Sequence, residues 1–436
     1  MTRRRWFVIV GAVFVALVAW AIVPPSERPF YDYLDERRAA GLPTTYEELL
    51  GPMPPAAENG VEELAAAVPW VLKEFGPSTS WKNSGFDVNM IVNEDGPTPE
   101  QIAEETPAAV RIRPWTERRD AVLAKPRLRF PVALGPEGFR TWTHVTVLQN
   151  VQRFLMMQAQ AEDDPQRRLA ACRAMFLFAR RIEPESLMTW MVGTAFVSGG
   201  VAALRRGVEW GRIDPVAARE ACDELLRGSR REGLRAAFRA EAVWFLTAYR
   251  ELVEGRATPR SAKSSYWWKM SRRFDRLMSH VRGIPDFPEL EPGMPRTIVG
   301  VCRGLDAAAA EPGVDVGPAM AQRLDPSGAM REFGIDVAVS KCRRTNVQCD
   351  AQTRLARVAL AVAELHAKTG AWPASLDELA PMFPDGVPAD PFTDKPFAYT
   401  PTKDGVRVSS AGRLPSDPVP EQDTRSWRGL VWELTR

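Results

Sequence analysis

The chain contains three histidines, His144, His280 and His366, and none of them has a second ligand-type residue at metal spacing. Zinc sites draw on three or four converging side chains, so the histidines make no metal centre. Cys342 and Cys349 are the two cysteines close in sequence. Without a second pair or a nearby histidine they do not make a structural zinc site, but in an oxidising compartment they could close a small disulfide loop. Cys172, Cys222 and Cys302 fall in apolar helical contexts, where a thiol behaves as a small hydrophobe. No nucleophile elbow, phosphate-binding glycine loop, dinucleotide fingerprint or H-E-x-x-H helix occurs. Carboxylate pairs such as Glu104-Glu105 and Asp163-Asp164 sit in solvated or helix-capping settings. The expected chemistry is therefore none that calls for a cofactor. An active site assembled from distant residues would leave no such local trace.

One other segment has the composition of a binding surface. Arg256, Arg260, Lys263, Lys269, Arg272, Arg273, Arg276 and Arg282 are opposed by Asp275 alone, and Tyr266-Trp267-Trp268 lies among them. Tryptophans beside cations suit a membrane interface, with the ring at headgroup level and the charge on anionic lipid. Trp267, Trp268, Lys269, Arg272 and Arg273 are the residues this reading selects. A helix with a solvated basic face and an aromatic turn packed on the body is the plainer alternative.

The elements that would position these residues follow from composition and punctuation. The chain has 436 residues, of which 45% are hydrophobic and 26% charged. That length allows two or three domains. Its 57 basic and 55 acidic residues give a net charge of +2, which offers a nucleic-acid partner no support. After Arg3-Arg4-Arg5 comes an uncharged run over 6–23, then Pro24-Pro25. That pattern fits a single-pass anchor in the bacterial inner membrane, basic end in the cytoplasm, with all that follows in the periplasm. Ala19-Trp20-Ala21 leaves open cleavage after Ala21 as a signal peptide.

The remainder reads as mainly α. Residues 25–140 are proline-rich, with short helices opened at Thr44 ahead of Glu47 and at Thr98-Pro99-Glu100-Gln101. Residues 141–282 form a helical-pair body of bundle or solenoid character. Its helices are expected from about 141 to 161, 166 to 182, 185 to 207, 216 to 226 and 228 to 254, two of them opened by Asp164-Pro165 and Asp214-Pro215. A Pro/Gly-rich linker covers 283–349, with one helix near 298–310. The last unit, 350–436, is a small α+β domain: a helix from about 351 to Gly370, a short helix capped by Ser375 and Glu378, and a hairpin. In that hairpin Phe397 and Tyr399, then Val406 and Val408 across Asp404-Gly405, alternate as strands with one buried face, and 427–434 is apolar enough to add a last strand.

Several motifs of this unit recur together. Gly370-Ala-Trp372-Pro373-Ala-Ser375-Leu376-Asp377-Glu378-Leu379, Asp390-Pro391-Phe392, Pro396-Phe397-Ala-Tyr399 and Ser410-Ala411-Gly412 resemble the globular end of type II secretion major pseudopilins. With the anchor, the helical middle and Pro54-Pro55-Ala-Ala-Glu58-Asn59, the whole looks like a group of uncharacterised bacterial membrane-anchored envelope proteins, which implies no activity. The pseudopilin likeness implies a calcium site in the loop after the hairpin. Here that loop offers Asp417, Glu421 and Asp423, without the glycine-rich acidic pattern that turns carbonyls inward. Gly11 is not followed by the phenylalanine and later glutamate of a pseudopilin leader, so pilus assembly is not expected.

The functional expectation is a non-enzymatic, membrane-anchored scaffold for envelope protein partners that the sequence does not identify. An accessory of a type II secretion or pilus-like system and an enzyme of unrecognised class are the alternatives.

Overall fold

A computed structural model describes residues 27–67, 115–130, 143–227, 230–253, 294–310, 335–412 and 430–435. The run 6–23, the Thr98 helix start, the basic-aromatic segment with Trp267, Trp268, Lys269, Arg272 and Arg273, and the loop with Asp417, Glu421 and Asp423 lie outside them. The protein is mainly helical, with a small antiparallel sheet near its C-terminus. The helices that lie wholly among the described residues include α1 (Arg28–Ala39), α2 (Tyr46–Leu50), α3 (Trp115–Ala124), α4 (Thr143–Ala161), α5 (Pro165–Arg181), α6 (Leu187–Glu209), α7 (Pro215–Leu226), α8 (Arg231–Val253), α9 (Met294–Ala310) and α10 (Ile335–Thr369), followed by a 3-10 helix, Leu376–Met382, and residues 61–67 are helical as well.

The helix openings follow the capping chemistry. Asp164 accepts from the N–H groups of Gln166 and Arg167 at 2.8 Å and 3.2 Å. Asp214 accepts from the N–H of Ala217 at 2.8 Å. Each stands ahead of a proline at the first helical position, so the side chain satisfies donors that the helix itself leaves unpaired. The first capping box falls one residue later than the spacing suggested, with Thr45 and Glu48 as its members. Thr44 still takes part, since its N–H donates to the same Glu48 carboxylate at 2.6 Å.

α6 is the core helix. Among the described residues it alone is long and apolar enough to cross a bilayer, yet most of its residues are buried inside the protein. Glycines on it let neighbours approach closely. A Cβ on Gly200 would stand 2.7 Å from the Phe176 ring of α5. Only glycine fits there without displacing that ring.

Two cores result. The larger joins α4, α5, α6 and α7 to the second half of α10, the 3-10 helix and the sheet; the smaller joins α1, the start of α6, α8, α9 and the first half of α10. α10 is thus shared between them. Its N-terminal half occupies 335–349, where a linker was expected, and no domain boundary falls at 350. The physical reason is visible in the residues: 335–349 contains no proline or glycine, and Val339 and Cys342 bury one turn apart. The same helix corrects the disulfide expectation. Cys342 and Cys349 lie two turns apart, about 10.5 Å along the axis at roughly 1.5 Å per residue, whereas a disulfide needs Cα atoms within roughly 7 Å. Both are buried free thiols, as are Cys172, Cys222 and Cys302.

Strands β1 (Ala398–Pro401), β2 (Gly405–Ser409) and β3 (Val431–Thr435) form one antiparallel sheet in chain order. Val408 pairs with Trp432 and Val406 with Leu434, and these four side chains are buried. The outer edge of β3 is finished by α6, which leaves fewer strand groups open to another chain. The Glu433 N–H donates to the Glu209 carboxylate at 2.8 Å, and Arg205 donates to the Val431 carbonyl at 2.8 Å. The motif residues between 373 and 411 hold one another. Asp390, 2% exposed, accepts from Phe392 N–H, Ser410 Oγ and Ala411 N–H at 3.1, 2.9 and 2.7 Å, and the Tyr399 hydroxyl donates to the Pro373 carbonyl at 2.7 Å. At Gly405, which pairs with Thr435, a Cβ would overlap the Leu434 carbonyl oxygen. Gly405→Ala is expected to lower unfolding stability by about 2–3 kcal/mol, read as a lower denaturant midpoint with an unchanged slope.

Arginines fasten the helix ends. The C-terminal carbonyls of a helix lack intrahelical partners and carry partial negative charge, so a cation with several donors suits them. Arg168 donates to Gln160 and Glu162 at the end of α4, Arg180 to Glu224 and Arg227 at the end of α7, and Arg181 to Leu123 in the last turn of α3. Arg230 reaches Ala179 of α5, Arg343 reaches Ala308 of α9, and Arg37 bonds the Pro43 carbonyl just after α1. Arg129 donates to the carbonyls of Leu50, Gly51 and Pro52 after α2. Much of the positive charge is therefore structural and turned inward.

Candidate functional site

The residues singled out for chemistry are not brought together. His366 packs on Trp372 with ring centroids 3.7 Å apart and the rings tilted by 41°, while His280 and the side chain of His144 lie outside the described residues. Burial pushes the thiols of Cys222, Cys342 and Cys349 up to about 12, and those of Cys172 and Cys302 higher still. A thiol so raised supplies almost no thiolate nucleophile at neutral pH. Among the described residues no group of three or more histidine, cysteine or acidic side chains is placed to hold a metal ion.

The densest set of perturbed ionisable groups lies at the head of α6. Backbone pairing builds its frame: Leu128 N–H donates to Arg181 O and Glu183 N–H to Leu128 O, at 2.8 and 3.0 Å. Asn59, from the Pro-Pro-x-x-Glu-Asn segment, extends the frame by bonding both backbone groups of Arg129 through its side chain, at 2.8 and 3.0 Å. Glu185 then sits just before the α6 cap residue Ser186 and accepts from the Phe130 N–H. Glu241 comes in from α8 and accepts from the Leu187 N–H, the first of α6, at 3.3 Å. Each glutamate is 3% exposed.

Electrostatics there is dominated by lost solvation, which disfavours the charged form of a carboxyl. Burial raises Glu241 to about 7, opposed by the single Leu187 N–H. Burial also holds Glu185 well above the usual carboxylate range, opposed by the Phe130 N–H and by Arg129, while the Glu183 charge adds to the rise. Tyr46 of α2 is buried against both carboxyls, and burial first, then their charge, pushes its hydroxyl far up. The Cys342 thiol of α10 feels Glu241 as well. Arg129 is committed to the three carbonyls after α2, with its Nε 3.8 Å from Glu183.

Two buried carboxyls, each with one backbone N–H as its hydrogen-bond donor, favour the protonated form, and among the described residues no activated nucleophile stands beside them. Sequence reasoning passed over both glutamates. For Glu241 a signal existed, because Leu234, Phe238, Glu241 and Phe245 recur at spacings of four, three and four, which sets an acid inside the apolar stripe of α8. Glu185 carried no comparable signal, since its burial depends on residues 127–130 laid against it. No protein-family model, no curated protein and no solved structure matches the chain.

Proposed function

We propose that the protein is a non-enzymatic scaffold held in the bacterial inner membrane by residues 6–23, with its helical body and C-terminal unit in the periplasm as one contact surface for other envelope proteins. The observation that carries the reading is Arg3-Arg4-Arg5 followed by the uncharged run and Pro24-Pro25. Two features of the body agree with it. α1 begins at Arg28, a few residues beyond that run, and its Phe30 packs on Tyr249 with ring centroids 4.7 Å apart. Tyr249 is one turn from the end of α8 at Val253, and the sequence bearing Trp267, Trp268, Lys269, Arg272 and Arg273 follows that helix. A lipid-headgroup role for those residues is part of the proposal.

The buried state of all five cysteines makes the topology test simple. In Lys403→Cys the new thiol stands on the exposed β1–β2 turn as the one reactive site among otherwise buried thiols. Labelling by a membrane-impermeant maleimide is expected once the outer membrane is opened and before the inner membrane is lysed, with the labelled chain in the carbonate-resistant membrane fraction. Labelling that requires inner-membrane lysis would sink the reading.

The motifs spanning 370–412 favour a second reading, an accessory of a type II secretion or pilus-like machine. Crosslinking of the exposed residues Thr400 or Lys403 to components of such a machine would support it, and crosslinks to unrelated envelope proteins alone would return the assignment to the scaffold.

A further inference from the structure

We infer that Glu241 is a proton-operated latch beneath α2: with its carboxyl neutral the segment 44–49 is sealed onto α8, and with its carboxyl ionised that segment swings away and admits water.

The geometry selects both the trigger and the moving part. Among the described residues, the groups set about Glu241 carry no positive charge: the Tyr46 phenol of α2, the Cys342 thiol of α10 and the Leu187 N–H of α6, with the Glu185 carboxyl on Tyr46 as well. Arg129, the nearest cation to Glu185, is engaged with the 50–52 carbonyls and Glu183, and no basic side chain among the described residues acts on Glu241. A buried carboxylate without a cation is strongly unfavourable, so ionisation is relieved by letting water in.

Water enters where the wall is thinnest. The walls given by α6, α8 and α10 belong to the two large cores, whereas Tyr46 buries in a separate small cluster with Ala240 and Val243, which flank Glu241 on α8. α2 is five residues long and is pinned at its two margins, by Arg37 on the Pro43 carbonyl and by Arg129 on those of Leu50, Gly51 and Pro52. Movement is thereby confined to the residues between the pins.

The sign follows from linkage. A carboxyl whose closed-state value is raised binds its proton more tightly when closed. The closed form is therefore favoured in mild acid and loses ground as pH rises from 4.5 to about 7. Hydrogen exchange of the full chain, corrected for intrinsic base catalysis, reads the opening of 44–49 directly. Its opening constant should rise by roughly tenfold per pH unit through that window and level off above it. In Glu241→Gln the rise should vanish, in Glu185→Gln it should persist, and peptides from 351–363 should stay closed throughout. A wild-type response that is flat, a Glu241→Gln response that matches wild type, or parallel opening of 351–363 would each overturn the latch. Should Glu241→Gln not fold, the wild-type infrared band of a protonated carboxyl decides, since the latch needs that band to fade over the same pH range in which 44–49 opens.

Discussion

A chain ending at residue 349 will show no cooperative melting transition. The truncation removes the second half of α10 together with the 3-10 helix and the sheet, and with them Leu355, Val358, Leu379, Phe383, Phe397 and Trp432 from the larger core. Each such side chain contributes about 1.5–3 kcal/mol by burial, and their combined loss exceeds the roughly 5–15 kcal/mol that separates folded from unfolded domains. It also unties the body itself. Arg219 of α7 loses the Glu364 carboxylate 2.6 Å away, and Asp223 loses Arg357 at 2.8 Å, so α7 is left without its main neighbour. Circular dichroism against temperature, with limited proteolysis, is the check: a sharp transition and a protease-resistant 143–253 fragment would mean that the body folds without α10. Deleting the C-terminal unit is accordingly a poor test of any docking role, since it removes the core along with the surface.

Arg129→Ala is expected to cost about 3–5 kcal/mol, the range for removing one partner from a buried charged network. The side chain is 4% exposed and serves three successive carbonyls through two guanidinium nitrogens, at 2.6, 3.0 and 2.7 Å. Arg129→Lys should recover less than half of the loss, because an ammonium on a flexible stem cannot span the fork that the guanidinium fills. Denaturant midpoints of the two variants compare them on one scale, and a lysine variant as stable as wild type would mean that charge alone matters there.

What could be read from the residues depended on whether the signal was local. Asp164-Pro165 and Asp214-Pro215 placed two helix starts within a residue, because a capping carboxylate and an N1 proline act on the next three backbone N–H groups and on nothing distant. The sheet was legible from the alternation of Val406 with Val408 and from the apolar character of 427–434, within which β3 lies. α10 was misplaced at its start because 335–349 follows a proline- and glycine-rich stretch and carries Lys341, Arg343, Arg344 and Asn346 among its apolar residues. Arg343 and Asn346 look solvated in one dimension and are buried in three. The arginine fastenings were invisible for the same reason: Arg129 and its carbonyl partners are separated by nearly eighty residues. Of the candidate site, the acid in the α8 stripe was readable, and the surroundings that leave it without a cation were not.

The path of the backbone has a consequence for how the molecule is made. α1 is tied to α9 by the Tyr33 hydroxyl on Asp306, across 273 residues, and the last strand closes on Arg205 and Glu209 across more than 220. As the chain leaves the ribosome, the first helix therefore waits for about two thirds of the sequence before it meets α9, whereas α6 finds α4 and α5 already made and lacks the cover of β3 until late. The apolar face of α1 stays uncovered through that interval. A chain that stops before β3 is therefore expected to leave the Arg205 and Glu209 side of α6 bare, with apolar surface exposed that favours aggregation over folding.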